Sequence, residues 1–159
     1  ENHYLWLARW TVEKAGMEIL EVAQRSKTII NMYGDTQIVG DQNYIRQVYA
    51  RADGYYANVN PGISREATVK EYQKAKGLVQ LYNWQEPFGL NLIEAMACGC
   101  PPIVQRRGAA PELVKDGETG YLVDSLEDMI QCIREDRVKN IDPVVMRKHV
   151  EDNFSLSVL

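Results

Sequence analysis

Short apolar runs alternate with longer amphipathic stretches along the whole chain. The apolar runs predict strands over Tyr4–Ala8, Thr28–Tyr33, Gly54–Val59, Leu78–Tyr82, Pro102–Gln105 and Tyr121–Val123. The stretches between and after them predict helices over Gly16–Arg25, Gln42–Ala52, Ser64–Ala75, Leu90–Cys98, Ala110–Lys115, Leu126–Arg134 and Pro143–Asp152. Strands that alternate with helices are typical of a parallel sheet covered on both faces. The pattern therefore predicts a three-layer α/β domain around a parallel sheet of about six strands.

The helical period is clearest in the first predicted helix. Met17, Leu20 and Ala23 recur there at every third position, with Ile19 and Val22 beside them. Ser64 is the expected N-cap of the third helix.

Composition places the chain among ordinary globular proteins. Its 159 residues fit one domain (residues 1–159), with 45% apolar and 25% charged residues. A net charge of −4 argues against a nucleic-acid partner. No apolar run approaches the roughly 20 residues of a membrane span. Three cysteines cannot all pair, so we expect no disulfide framework and a cytoplasmic location.

Both ends of the chain resemble cuts in a longer polypeptide. It begins at Glu1 without methionine and enters a strand-like run almost at once, and it ends abruptly at Leu159. We therefore interpret it as an excised domain.

Two carboxylates flank a predicted anion site at the carboxyl edge of the sheet. Glu86 lies in the loop after the fourth predicted strand, and Glu94 lies about one turn inside the following helix. The free amides and dipole of a helix N-terminus attract anions such as phosphate. A nucleotide sugar matches this order, with sugar hydroxyls, pyrophosphate and ribose hydroxyls in sequence. The alternative is an exposed loop residue and an ordinary glutamate on a helix surface.

A cationic pair follows the first predicted strand. Arg9 and Lys14 should project toward the same strand-end crevice as the Glu86 loop. A guanidinium and an ammonium beside a helix N-terminus form a plausible diphosphate clamp. The alternative is a pair of solvated loop charges.

Two other kinds of site find little support. No G-x-G-x-x-G follows the first strand, where Leu7-Ala8-Arg9-Trp10-Thr11 stands, which argues against the dinucleotide-binding domain of the usual oxidoreductases. Cys98-Gly99-Cys100 is a weak metal signal, because Cys132, His3 and His149 lack the spacing of further zinc ligands. We expect no metal and no cofactor.

Taken together, these motifs resemble the C-terminal, donor-binding domain of family 4 glycosyltransferases with the GT-B fold. The most specific element is E-x7-E, matched by Glu86 and Glu94 around Phe88-Gly89-Leu90. Further matching motifs stand in the family's order over nearly the whole chain: Arg9…Lys14, Gly34-Asp35, Glu94–Gly99, Gly108…Pro111-Glu112 and Asp116–Gly120. The resemblance implies a Rossmann-like domain.

The resemblance also implies roles for the matching residues. Arg9 and Lys14 would bind the diphosphate of a UDP-, GDP- or ADP-sugar, helped by the amides of Phe88, Gly89 and Leu90. Glu86 would contact the transferred sugar, Glu94 the ribose, and Ile63 the nucleobase. Glu86, Arg9 and Lys14 would thus form the catalytic set. The family transfers sugars with retention, needs no metal, and uses the donor phosphate to assist deprotonation of the acceptor.

Departures from the family pattern bear on donor preference. Ala8 stands where the family often has glycine, Ala15 is inserted before Gly16, and Ala109 replaces the second glycine of a pair. Asn83-Trp84-Gln85 is an uncommon approach to Glu86.

The resemblance sets further expectations for the full-length protein. The family carries its acceptor site on an N-terminal domain that this chain lacks, so the isolated chain should bind donor weakly and turn nothing over. The whole protein would glycosylate a glycan or a lipid, with peripheral membrane association. The alternatives are a non-catalytic nucleotide-sugar-binding module, or another GT-B enzyme such as a phosphorylase or an epimerase.

Overall fold

A computed structural model describes residues 2–34 and 42–154. These residues form one sheet with helices between the strands. The strands are β1 (His3–Leu7), β2 (Ile29–Gly34), β3 (Ala57–Pro61), β4 (Leu78–Gln80), β5 (Pro102–Gln105) and β6 (Tyr121–Val123). The helices are α1 (Gly16–Ser26), α2 (Gln42–Arg51), α3 (Arg65–Lys74), α4 (Leu90–Ala97), α5 (Ala110–Leu113), α6 (Leu126–Arg134) and α7 (Pro143–Phe154). Short 3-10 helices cover Val12–Lys14 and Arg137–Asn140.

The sheet has six parallel strands in the order β3-β2-β1-β4-β5-β6. The chain first builds the sheet outward from β1 to β3, then returns to the other side of β1 with β4. Loops at the carboxyl ends of β1 and β4 therefore diverge and leave a crevice between them, which is where ligands bind in such sheets. The predicted Rossmann-like α/β fold is confirmed.

Two apolar cores lie on opposite faces of the sheet. Side chains alternate along β1, so Tyr4 and Trp6 join one core and Leu5 joins the other. The first core contains apolar residues of α1, α2 and α6, and the second those of α4, α5 and α7. This arrangement confirms helices on both faces.

Several predicted boundaries are wrong for local reasons. The third strand was expected from Gly54 but begins at Ala57, because the Asp53 carboxylate accepts hydrogen bonds from the amides of Tyr55 and Ala57 and holds a turn there. The fourth strand was expected to reach Tyr82 but ends at Gln80. Beyond it, the Tyr82 amide bonds the Gln105 side chain rather than a neighbouring strand.

Four smaller expectations concern a helix cap, the cysteines, the Gly34-Asp35 motif and membrane-spanning helices. Ser64 is the N-cap of α3, since its hydroxyl accepts a hydrogen bond from the Ala67 amide. Cys98, Cys100 and Cys132 are all free thiols, as expected. Gly34 ends β2, whereas Asp35 of the same motif lies outside the described residues. Throughout the described segments, every helix is too short or too polar to cross a bilayer.

Candidate nucleotide-sugar site

A cavity of about 440 Å³ opens at the carboxyl ends of β1, β2 and β4. Leu7, Gly34 and Gln80 mark those three strand ends on its wall. Six of the predicted site residues line it together: Arg9, Lys14, Ile63, Glu86, Phe88 and Leu90. The fold thus brings the cationic pair and the first carboxylate to one place, as the strand-end argument predicted.

The other two predicted residues lie at the edge of this cavity. Gly89 is the N-cap of α4, with a left-handed φ of 61°. Glu94 lines a neighbouring cavity, also of about 440 Å³, that shares Ile63 and Thr68 with the first. Its carboxylate lies 3.6 Å from the exposed Arg65 guanidinium. Ile63 therefore lies between the spaces reached by the two carboxylates.

Lys14 and Glu86 form an ion pair inside the first cavity. The Lys14 Nζ lies 2.6 Å from Glu86 Oε2, and their side chains are only 14% and 9% exposed. The same carboxylate oxygen accepts a hydrogen bond from Trp84 Nε1 at 2.9 Å. Lys14 Nζ also lies 5.2 Å from the centre of the Trp84 ring, within cation–π range. Each of the three side chains contacts the other two.

The backbone of Glu86 is held by the loop between β5 and α5. The Glu86 carbonyl accepts a hydrogen bond from the Ala109 amide at 2.7 Å. One residue earlier, the Gln85 side chain accepts a hydrogen bond from the Gly108 amide at 2.7 Å. Gly108 has a φ of +58°, and a Cβ there would overlap the Glu86 backbone. Only glycine suits both the dihedral angle and the close approach.

Lys14 is positioned by the 3-10 helix that precedes α1. Ala15 closes this turn with a left-handed φ of 59°, and its amide bonds the Val12 carbonyl. Asn83 connects the turn to the Glu86 loop through two hydrogen bonds. Its backbone N–H donates to the Glu13 carbonyl, and its side-chain amide donates to the Val12 carbonyl. The inserted Ala15 is therefore part of the structure that presents Lys14.

Arg9 differs from Lys14 in its surroundings. It lines the cavity, its side chain is exposed, and within the described part of the chain no carboxylate pairs with it. Judged on residues 2–34 and 42–154, an incoming anion would meet Arg9 without competition from a carboxylate.

The N-terminus of α4 faces the same crevice. Phe88 and Leu90 line the cavity at its mouth and are 70% and 65% exposed. Asn91 donates a hydrogen bond to the Leu7 carbonyl, and Gln80 donates to the same oxygen. The Asn91 bond fixes α4 to the end of β1, and the Gln80 bond ties the end of β4 to the same point. The first amides of a helix have no intrahelical acceptor and are therefore available to an anion.

Tyr82 also lines the cavity, and its hydroxyl is buried. Burial raises the pKa of Tyr82 above its usual range, and the nearby Glu86 carboxylate raises this pKa further. Within the described residues, the Tyr82 hydroxyl has no hydrogen-bond partner. It therefore remains a protonated donor at neutral pH.

Residues that support Glu86 were not identified as functional from the sequence. Trp84 was assigned no role of its own from the sequence, but it is 36% exposed and its indole N–H donates a hydrogen bond to the Glu86 carboxylate. Gln85 and Gly108 showed no signal for their hydrogen bond across 23 residues of sequence. The uncommon Asn83-Trp84-Gln85 segment was the one available indication.

Metal ligands are scarce in the region. Over residues 2–34 and 42–154, no group of three or more His, Cys, Asp or Glu side chains is placed to hold a metal ion. Burial raises the pKa of Cys100 to about 12, so this thiol stays protonated. The expectation of a metal-independent site stays a prediction.

Comparison with known families identifies a long match. The family model described as "Glycosyl transferases group 1" matches residues 5–135. That segment includes Arg9, Lys14 and the whole Glu86–Glu94 motif.

Curated relatives match over shorter segments. N-acetyl-alpha-D-glucosaminyl L-malate synthase from Bacillus anthracis is 42% identical over 62 residues, which are 39% of this chain and 16% of the relative. D-inositol 3-phosphate glycosyltransferase from Mycobacterium sp. (strain KMS) is 45% identical over 64 residues, or 40% of this chain and 14% of the relative. The matches thus span less than a fifth of each relative's length.

Solved structures match over nearly the whole chain. A glycosyltransferase from Rickettsia africae has a TM-score of 0.85 at 20% identity and covers 99% of this chain, which spans 45% of that structure. HepE from Anabaena, in complex with UDP and glucose, has a TM-score of 0.81 at 18% identity, with coverage of 98% and 45%. At these identities the likeness establishes the GT-B type of fold.

Proposed function

The chain belongs to the glycosyl transferases group 1 family, and from that membership we propose that it holds the nucleotide-sugar donor in a sugar-transfer reaction. The main support for this proposal is the composition of one cavity. A single cavity gathers Arg9, Lys14, Glu86 and the start of α4 at the crevice between β1 and β4. The chain spans 45% of the Rickettsia africae structure and 45% of the HepE structure, which supports our proposal that the whole protein has a further, N-terminal domain for the acceptor.

The diphosphate of the donor would lie between the two cations and α4. Arg9 can donate two parallel hydrogen bonds to phosphate oxygens, and Lys14 adds a compact positive charge. The amides of Phe88, Gly89 and Leu90 would complete the anion site at the positive end of the helix dipole. This arrangement stabilises the nucleoside diphosphate as it leaves the sugar, when negative charge develops on it.

The rest of the donor would extend in two directions from the diphosphate. Toward Lys14, the Glu86 carboxylate would accept hydrogen bonds from hydroxyls of the transferred sugar. In the neighbouring cavity, Glu94 would bind ribose hydroxyls, and Ile63, which lines both cavities, would contact the nucleobase. The separation of the two carboxylates into adjacent cavities supports contacts with different parts of the donor.

The reaction we propose is transfer of the sugar, with retention of anomeric configuration, to a glycan or a lipid. Arg9, Lys14 and Glu86 would act on the donor, and the donor phosphate would assist deprotonation of the acceptor hydroxyl. HepE, a protein of the same fold, is described in complex with UDP and glucose, which supports a nucleotide sugar as the ligand class. We expect the isolated chain to bind donor weakly and to catalyse no transfer.

Nucleoside-diphosphate affinity tests the proposal. UDP, GDP and ADP, and their sugar conjugates UDP-glucose, GDP-mannose and ADP-glucose, are titrated calorimetrically into the chain. The tightest binder is then titrated into Arg9→Ala. We expect its affinity to fall more than about tenfold, because a charge-assisted contact contributes roughly 1.5–3 kcal/mol.

Arg46→Ala is the matched control for this substitution. Arg46 is exposed on α2, and it lines neither cavity, so its removal changes net charge equally. Unchanged affinity in Arg9→Ala, or an equal loss in Arg46→Ala, would count decisively against the proposed site.

A further inference from the structure

We propose that the Lys14–Glu86 ion pair makes the cavity select a nucleotide sugar over the corresponding free nucleoside diphosphate. This inference rests on the proposed function, and it assigns to Glu86 a repulsive task in addition to its contact with the sugar. The carboxylate weakens binding of a diphosphate that arrives without a sugar.

Lys14 is already paired with a carboxylate, that of Glu86. Its ammonium lies 2.6 Å from Glu86 Oε2, in a part of the cavity where both side chains are largely buried. A phosphate oxygen that contacts Lys14 at about 2.8 Å would lie within roughly 5.4 Å of that carboxylate. Screening by solvent is reduced at a partly buried site, so the two anions repel each other. The diphosphate therefore gains less from Lys14 than it would from an unpaired lysine.

The sugar changes this balance because it supplies hydroxyl donors. A buried carboxylate that shares its ammonium with phosphate is left short of hydrogen bonds, which is costly. Sugar hydroxyls can donate the missing hydrogen bonds, whereas a free diphosphate cannot. Sites built to bond a hydroxyl reject analogues that lack it. A free nucleoside diphosphate also carries more negative charge than its sugar conjugate, because its terminal phosphate ionises a second time at about pH 6.

Discrimination of this kind requires that Glu86 stay in place when the ligand arrives. Trp84 Nε1 donates a hydrogen bond to the same Oε2 atom at 2.9 Å. The carboxylate therefore keeps one hydrogen-bond partner when the Lys14 ammonium binds a phosphate oxygen. The Ala109 amide holds the Glu86 carbonyl at 2.7 Å, and Gly108 packs against the same backbone. These contacts therefore hold the Glu86 carboxylate beside the proposed diphosphate site.

The nucleotide sugar before transfer and the nucleoside diphosphate after it should therefore bind with different affinity. The donor meets Glu86 with its sugar, and the ion pair is exchanged for hydroxyl contacts. The product has lost the sugar, so it faces the carboxylate directly and is bound less tightly. The ion pair thereby favours release of the nucleoside diphosphate.

The test compares Glu86→Gln with the wild type in calorimetric titrations. Each of the three pairs (UDP and UDP-glucose, GDP and GDP-mannose, ADP and ADP-glucose) is titrated separately. Glutamine keeps the size of the side chain and removes its charge. We expect Glu86→Gln to bind the free diphosphate about threefold or more tighter, because a charge repulsion is removed. The ratio of diphosphate Kd to sugar-conjugate Kd, above one in the wild type, should fall toward one.

Two further variants make the result interpretable. Glu151→Gln removes the same charge from an exposed position on α7 that lines neither cavity, and should retain the wild-type ratio. Trp84→Phe keeps a ring beside Lys14 but loses the N–H that holds Glu86, and its ratio should also fall. If Glu86→Gln does not fold, Trp84→Phe decides the question.

The outcomes separate this inference from the proposed function. Wild type that binds none of the six ligands overturns both. Diphosphate binding by Glu86→Gln that is equal to or weaker than in the wild type overturns the inference alone, since Glu86 would then orient Lys14 for phosphate. A wild-type ratio at or below one, or an unchanged ratio in Trp84→Phe, also contradicts it.

Discussion

Glu86 is held in place both through its backbone and through its side chain, by different parts of the chain. The loop between β5 and α5 binds its carbonyl, while Lys14 and Trp84 bind its carboxylate. The location of the carboxylate therefore depends on a loop that begins about 20 residues later in the chain. A small change in that loop should reach the cavity even though Gly108 does not line it.

Gly108→Ala tests this dependence. Alanine at a φ of +58° loses about 1–2 kcal/mol from backbone strain alone, and its Cβ would overlap the Glu86 backbone. We expect lower stability in urea unfolding and nucleotide-sugar affinity reduced about tenfold or more, as displaced site groups typically cause.

Gly54→Ala is the matched control for the backbone strain. Gly54 has a φ of +71°, and no heavy atom lies within 4 Å of a Cβ there. This variant should lose stability through the same strain but keep wild-type affinity. If Gly108→Ala binds the donor normally, the loop does not position Glu86.

At this scale, the sequence predicted the cavity residues but not their mutual contacts. Arg9, Lys14 and Glu86 were assigned to one strand-end crevice, because parallel strands end at a common edge. The Lys14–Glu86 pair joins residues 72 apart, and the Trp84 hydrogen bond depends on the side-chain conformations within the Glu86 loop. No periodicity or motif reports such a contact. The roles of these residues toward a donor stay predictions.

Among the elements, α6 has a well-defined N-terminus. Ser125 accepts a hydrogen bond from the Asp128 amide, and the Asp128 carboxylate accepts one from the Asp124 amide. The first bond satisfies an amide that the helix itself leaves free, and the second ties the residue before the cap to the first turn. Because α6 packs on α1 and lines neither cavity, its cap should affect stability without affecting the ligand.

Ser125→Ala should lower the free energy of unfolding by about 1 kcal/mol, since an N-cap acceptor is lost. Urea denaturation followed by circular dichroism measures this change, and calorimetry should give unaltered nucleotide affinity. Ser125→Thr retains a capping hydroxyl and should stay near wild-type stability. Equal stability of the alanine and threonine variants would show that the cap contributes nothing.

Element types were predictable, whereas some boundaries were not. The six strands and seven α-helices of the described segments were all predicted from the apolar pattern, and Ser64 was correctly assigned as a cap. The start of β3 was wrong because the Asp53 side chain competes for backbone amides. The 3-10 turn at Val12–Lys14 was missed, since three residues carry no period and the left-handed Ala15 has no sequence signature.

At the scale of the whole molecule, the reversal of strand order at β1 concentrates positive charge in a chain whose net charge is −4. Arg9, Lys14 and the N-terminus of α4 converge there from separate segments. Alternation of elements predicted the parallel sheet, but strand order depends on how the helices pack, which the pattern alone does not encode.

This concentration of cations predicts binding without a metal ion. Arg9, Lys14 and the helix dipole together can neutralise a diphosphate. Affinity for the preferred nucleotide sugar should therefore be the same in excess EDTA as in Mg²⁺ or Mn²⁺, measured by calorimetry. A tenfold or greater loss in EDTA that either metal restores would contradict this expectation.

The most direct test of the account is a crystal structure of the chain with the nucleotide sugar that binds most tightly. We predict diphosphate oxygens within hydrogen-bond distance of the Arg9 guanidinium, the Lys14 ammonium and a backbone amide of Phe88–Leu90. Hydroxyls of the sugar should donate hydrogen bonds to the Glu86 carboxylate. Density for the diphosphate anywhere other than the cavity between β1 and β4 would contradict it.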